Sequence, residues 1–197
     1  NSNMGATQGK AVIENTDAII DVNSISVDES KFKLESGTSI KDIFIDNEKS
    51  VSLGKNDGQA PSEESPLVLG IDLSKSMRGS KEGIALASEN SIEMEQIVIK
   101  APKTSSNSDA SMPEKGSITY VDENGVTKTV EFNENSNEAR SKGSNGDIVI
   151  DLGTQVAVKQ ISINVTANRG NKNISEIAKI EFLNNVYKEV PKPDMNI

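Results

Sequence analysis

The clearest pattern along the chain is a period of two. In "DIVIDLGTQVAVKQISINVT" (147–166), Val156, Val158, Ile161, Ile163 and Val165 are set against Lys159, Gln160, Ser162 and Asn164. Apolar residues at alternate positions put one face of an extended strand in a core and the other toward water. The same alternation runs through "SITYVDENGVTKTVEF" (117–132) and breaks at Glu123–Asn124–Gly125, which predicts a β-hairpin. In "SIEMEQIVIKAP" the apolar positions Ile92, Met94, Ile97 and Ile99 change phase near Gln96, which predicts a bulge. "LVLGIDL" and "IALAS" read as further strands, and "AVIENTDAIIDVNSISV" (11–27) as one or two strands at a sheet edge. "KFKLESGTSIKDIFI" carries a turn signal at Glu35–Ser36–Gly37. The periodicity of "ISEIAKIEFLNNVY" is open to helix or strand; it is taken as the closing strand.

Between these runs lie segments dense in Gly, Pro, Asn, Asp and Ser, which read as loops: 53–66, "SKSMRGSKEG", 102–116 and "NENSNEARSKGSNG". Residues 1–10 read as a disordered lead and "KEVPKPDMNI" (188–197) as a Pro-rich linker to a following domain, which leaves one domain over 11–187. About ten short strands with long polar loops predict an all-β fold, a β-sandwich of jelly-roll type.

Composition agrees with sheet: 36 isoleucines and valines stand against 20 leucines and alanines. The net charge of −9 argues against nucleic acid and anionic membrane, both of which need a basic footprint. The absence of Cys and His removes disulfides, thiolate metal sites, the usual zinc ligand and every Ser–His or Cys–His nucleophile. No apolar run approaches the ~20 residues that span a bilayer. A free-standing enzyme is therefore not expected. Asp151 could be named a catalytic acid, but that requires a paired carboxylate and a burial-raised pKa. With 30 acidic residues in the chain a pair can always be named, so the signal carries nothing alone.

Three stretches resemble the discoidin-like domains, also known as coagulation factor type C or family 32 carbohydrate-binding modules, with a galactose-binding jelly roll. "DIFIDNEKSVSL" (42–53) is similar to the opening pattern Asn-Leu-x-Asp-Gly-x-x-x-Thr-x-Trp. "SITYVDENGVTKTVEF" is similar to the family hairpin. "IVIDLGTQVAVKQISINV" resembles the strand written Val-x-Val-Asp-Leu-Gly, then a variable turn and an alternating run, and "EIAKIEFLN" the closing Ala-Glu-Ile-Glu-Phe-Tyr-Gly. The likeness covers about 38–186, although the Asp-Leu-Gly motif falls after the hairpin rather than before it. In the family that Asp is a framework residue accepting loop backbone hydrogens, and Asp151 is read the same way.

The resemblance implies a structural calcium, held by oxygen ligands. Asp46 and Glu48 match that pattern, Val51 stands at the Thr position with only its backbone carbonyl, and the closing Glu aligns with Lys179. An ammonium there repels calcium and would itself pair with Asp46, so the metal is expected to be absent or replaced. Glu181 or Glu176 restores a ligand if the alignment shifts by two or three residues, and an ordinary acidic loop is the plain alternative. No cofactor is required.

Sugar-binding members stack an exposed aromatic, usually Trp, on a sugar face. This chain has no Trp, and Phe44, Tyr120, Phe132 and Phe182 fall in strand patterns as core residues; Tyr187 alone lies near an end. Arg78, Arg140 and Arg169, in Gly-containing loops, are the candidate ligand contacts, since a guanidinium meets a sialate carboxylate bidentately; solvated loop charge is the alternative. The resemblance thus implies a non-catalytic, monomeric accessory module of a secreted or cell-surface Gram-positive protein. It would target a glycosidase or zinc metallopeptidase parent to host or matrix glycans or glycoproteins, beside neighbouring domains of the same chain. A structural spacer with no small ligand is the alternative.

Overall fold

A computed structural model describes residues 10–17, 22–37, 39–45, 50–75, 91–105, 107–133, 140–142 and 146–190. Within them lie thirteen strands and no α-helix. They are β1 (Lys10–Asp17), β2 (Ser26–Val27), β3 (Lys33–Ser36), β4 (Val51–Gly54), β5 (Leu67–Asp72), β6 (Ile92–Lys100) and β7 (Ala110–Ser111). Then come β8 (Pro113–Asp122), β9 (Thr127–Asn133), β10 (Arg140–Lys142), β11 (Ile148–Asn168), β12 (Ile174–Ile177) and β13 (Lys179–Val190). A large sheet runs β1-β13-β6-β11-β5-β2, with β10 and β8 also paired to β11 and β9 to β8; a small sheet runs β3-β4-β12-β7. This is the expected β-sandwich.

β11 is the spine. One of its edges carries β6 and then β5, and the other carries β10 and then β8: Ile148 pairs with both Ile99 and Lys142, Val158 with both Ile92 and Asp122, and Ile161 with both Ile71 and Tyr120. The alternation read from the sequence becomes inward rows across these strands. Leu69, Ile163 and Ile118 form one such row, and Ile180, Ile99 and Ile148 another. All six are at most 2 % exposed. Each buried aliphatic side chain contributes roughly 1.5–3 kcal/mol.

The hairpin forms as predicted. Asp122 Oδ1 accepts from the backbone N–H of Asn124 (2.8 Å) and Val126 (2.9 Å), and Gly125 takes the left-handed conformation the turn needs (φ +80°). The phase change near Gln96 is also real, but the extra residues sit on the partner strand. Pairing passes from Asp151↔Gln96 to Val156↔Met94, so the irregularity belongs to β11.

Five expectations are corrected. The loop over 53–66 starts only at Lys55, because Leu53 and Gly54 belong to β4 and pair with β3 and β12. The loop drawn over 102–116 ends earlier, because Ala110–Ser111 pair with β12 and Pro113 begins β8. The closing segment is two strands in different sheets, separated at Ala178. Lys188–Val190, placed in the linker, complete β13 opposite Lys10–Val12, because the chain keeps its N–H donors until Pro191; Lys10 likewise belongs to β1 rather than to the lead. Arg140, placed in a loop, begins β10 and pairs with Ile150. "IALAS" and residues 191–197 lie outside the described residues.

Of the aromatics expected in the core, Tyr120, Phe132 and Phe182 are buried, and Phe44 stacks on Phe182 with ring centroids 6.1 Å apart. Burial, and secondarily Asp122, raises the Tyr120 pKa above the ordinary 10.0. A raised folded-state pKa holds the proton in the native protein, so this contribution is complete below pH 10 and is lost as pH climbs through the folded value. Thermal unfolding midpoints are expected to fall above pH 10, and Tyr120→Phe should flatten that decline.

Candidate functional site

Asp151 settles as framework. It is exposed, and its Oδ1 accepts the backbone N–H of Gly153 at 2.8 Å, where Gly153 adopts φ +85°. A solvated carboxylate closing its own strand irregularity holds local backbone and has no partner for acid–base work.

Of the candidate arginines, Arg78 lies outside the described residues and Arg140 is described only by its place in β10. Arg169 is built into the framework: Nη2 donates to Gly146 O (2.7 Å), its backbone N–H donates to Met112 O (3.0 Å), and its own carbonyl accepts from Ser111 Oγ (2.7 Å). Nearby, Asp147 accepts from the Ala101 N–H at 2.8 Å and pairs with Lys100 at 3.5 Å.

Of the calcium candidates, Asp46 and Glu48 lie outside the described residues. Val51 is fully buried in the core. Lys179 Nζ lies 3.5 Å from Glu181 Oε1, both half-buried. Glu176 is 1 % exposed; its Oε2 accepts from Ser50 Oγ at 3.0 Å, and its Oε1 has no hydrogen-bond partner among the described residues. Among those residues no cluster of three or more potential ligands could hold a metal. If Lys179 takes the metal's place, calcium or chelator leaves the melting midpoint unchanged by scanning calorimetry, whereas a saturated calcium site would raise it by about 5–10 °C.

Two open concavities among the described residues lie elsewhere, on the outer face of the large sheet. The polar half of each alternation there forms cross-strand rows. Ser26, Asp72, Gln160 and Val121 make one row, Gly70, Ser162, Thr119 and Thr129 the next, and Val68, Asn164, Ser117 and Glu131 a third. Over the first two rows lies a cleft of about 540 Å³, rimmed by Asp28 and Lys31. A second, of about 1010 Å³, continues over Ser117, Thr129, Glu131 and Thr166.

The middle row, Gly70, Ser162, Thr119 and Thr129, carries no charge, and hydroxyls and amides cross-link the positions in and beside it. Thr119 and Thr129 hydroxyls lie 3.1 Å apart, Ser162 Oγ donates to Asn164 Oδ1 (3.2 Å), and Asn164 Nδ2 donates to Ser117 Oγ (3.4 Å). At the rim Asp28 is held by Ser30, whose hydroxyl (2.6 Å) and backbone N–H (3.1 Å) lower its pKa, with Lys31 at 3.9 Å. Asp72 Oδ1 accepts the Ser74 N–H at 2.8 Å. Such a surface offers donors and acceptors to a polar, neutral ligand. These residues were visible in the sequence only as the wet half of each strand; nothing within one strand tells which polar halves lie side by side.

No protein-family model and no curated protein matches the chain. Solved structures do. The Clostridium perfringens module CBM32-1 from a family 31 glycoside hydrolase matches with a TM-score of 0.51 at 13% identity, over 83% of this chain and 94% of that one. CBM32-3 from a family 31 glycoside hydrolase of the same organism gives 0.50 at 13% identity, over 85% and 94%. CpGH89CBM32-5 from C. perfringens, in complex with GalNAc-β-1,3-galactose, gives 0.50 at 9% identity, over 83% and 96%. At these identities the likeness is one of fold: the chain has the jelly roll of the family 32 carbohydrate-binding modules, as its motifs implied.

Proposed function

We propose that the chain is a non-catalytic accessory module that binds carbohydrate, within an extracellular, secreted or cell-wall-associated bacterial protein. It acts as a monomer and directs a glycan-active or proteolytic parent to host or matrix glycoconjugates. The observation carrying this reading is the open outer-face cleft, floored by hydroxyl and amide groups on a fold shared with carbohydrate-binding modules. One of those modules was solved with GalNAc-β-1,3-galactose. The lack of Cys and His supports the non-catalytic part.

A glycan array on the isolated chain, run with calcium and with chelator, tests this. A calcium-independent signal is expected. A blank array in both buffers would leave the second reading, a spacer domain without a small ligand. One observation favours that spacer: Phe32, Tyr120, Phe132 and Phe182 are buried and Phe44 is stacked, so none of these five offers a sugar platform.

A further inference from the structure

Gly70 sits mid-strand in β5, where its carbonyl accepts the Asp28 N–H at 3.0 Å and no described neighbour blocks an added Cβ. Its φ is not positive, and an added Cβ would meet only Asp28 Cβ, at an ordinary 3.8 Å. Glycine inside a strand is destabilising, and it marks places where a ligand or another backbone comes close. What it leaves here is the floor of the cleft, with Ser162 and Thr119 beside it on β11 and β8.

We propose that this trough holds a neutral, extended oligosaccharide lying across β5, β11 and β8, and that it rejects uronate- and sialate-bearing chains; this rests on the carbohydrate-binding reading. Hydroxyls and carboxamides both donate and accept, as sugar hydroxyls do. The rim cation Lys31 already faces Asp28, Asp72 adds a second carboxylate to the lining, and the chain carries −9, so an acidic glycan finds repulsion instead of a clamp. Phe32, Phe44, Tyr120, Phe132 and Phe182 offer no platform here, so affinity accumulates from hydrogen bonds along the ligand. Four strands from β2 to β8 span about 14 Å, longer than one sugar ring.

Titration calorimetry on the whole chain tests this with galactose, neutral β-1,4-galactohexaose and β-1,4-glucohexaose, oligogalacturonate and sialyllactose. A neutral hexasaccharide is expected to bind, while galactose and the acidic glycans do not. Gly70→Leu and Ser162→Arg, both on the outer face, should each weaken binding at least about tenfold. Gly70→Ala should weaken binding while raising the melting midpoint by about 1–4 °C, a combination that a purely structural glycine would not give.

Hexasaccharide binding that survives both Gly70→Leu and Ser162→Arg overturns the trough and leaves the carbohydrate reading standing, as does preferential binding of the acidic glycans. No binding of any glycan, here or on the array, overturns both. A dimer in sedimentation that Ser162→Arg disperses would reassign the face to contact between copies.

Discussion

Replacing Gly116 by valine is expected to abolish the cooperative unfolding transition seen by circular dichroism, and Gly116→Ala to lower stability by about 3 kcal/mol. Gly116 lies in β8 opposite Val165 and Phe132, on the inward row of Leu67 and Val165. A Cβ there would overlap the carbonyl oxygen of Asn164 and come within 2.8 Å of Phe132 Cζ. The first obstacle is backbone of the central strand, which cannot rotate away as a side chain can. Relief would require β8 to move off β11, breaking the ladder that joins the hairpin to the sheet. For a chain of this size the alanine variant should melt about 6–12 °C lower. A melting midpoint within a degree or two of the parent would mean that β8 and β11 are not paired in this register.

The second large effect is at Ile99. It is fully buried on β6, with Ile180 of β13 and Ile148 of β11 as its cross-strand neighbours, both at most 1 % exposed. Ile148 is itself held in ladders on both sides, by β6 and β10, so the site cannot readily collapse around a lost side chain. Ile99→Ala should therefore cost toward the upper part of the usual range of about 2–5 kcal/mol. Ile99→Val should cost about 1 kcal/mol. Urea titrations with an unchanged slope would attribute the difference to the native core. Equal, small losses in both variants would show this row to be loosely packed.

What could be read in advance follows from what is local. The hairpin over 117–132 was legible because its turn chemistry, Asp122 and Gly125 included, acts within a few residues. The edge positions of β1 and β2 were legible from short polar-interrupted runs. The union of 148–168 into one strand was not, because Gly153 looks like a terminator when its partner is unseen; β6 continues the pairing past it. Nor was the split at Ala178, since the same apolar spacing serves either sheet. The candidate arginines were chosen for chemistry alone, and the bond from Arg169 to Gly146 spans 23 residues. Gly70 lies inside the segment "LVLGIDL", and nothing in that segment places Asp28, Ser162 and Thr119 around it.

β11 also fixes when this domain can come into being. β5, β6, β8 and β10 all precede residue 148 in the chain, and all four pair with the strand that begins there. Before that strand is synthesised, only pairings such as β2–β5, β3–β4 and β8–β9 are available. Small strand pairs of this kind are marginal in water. Assembly thus waits for the late arrival of one segment, and its rate is governed by closing long chain loops onto it. Until β11 is in place, β5, β6, β8 and β10 lack the partner that joins them into one sheet.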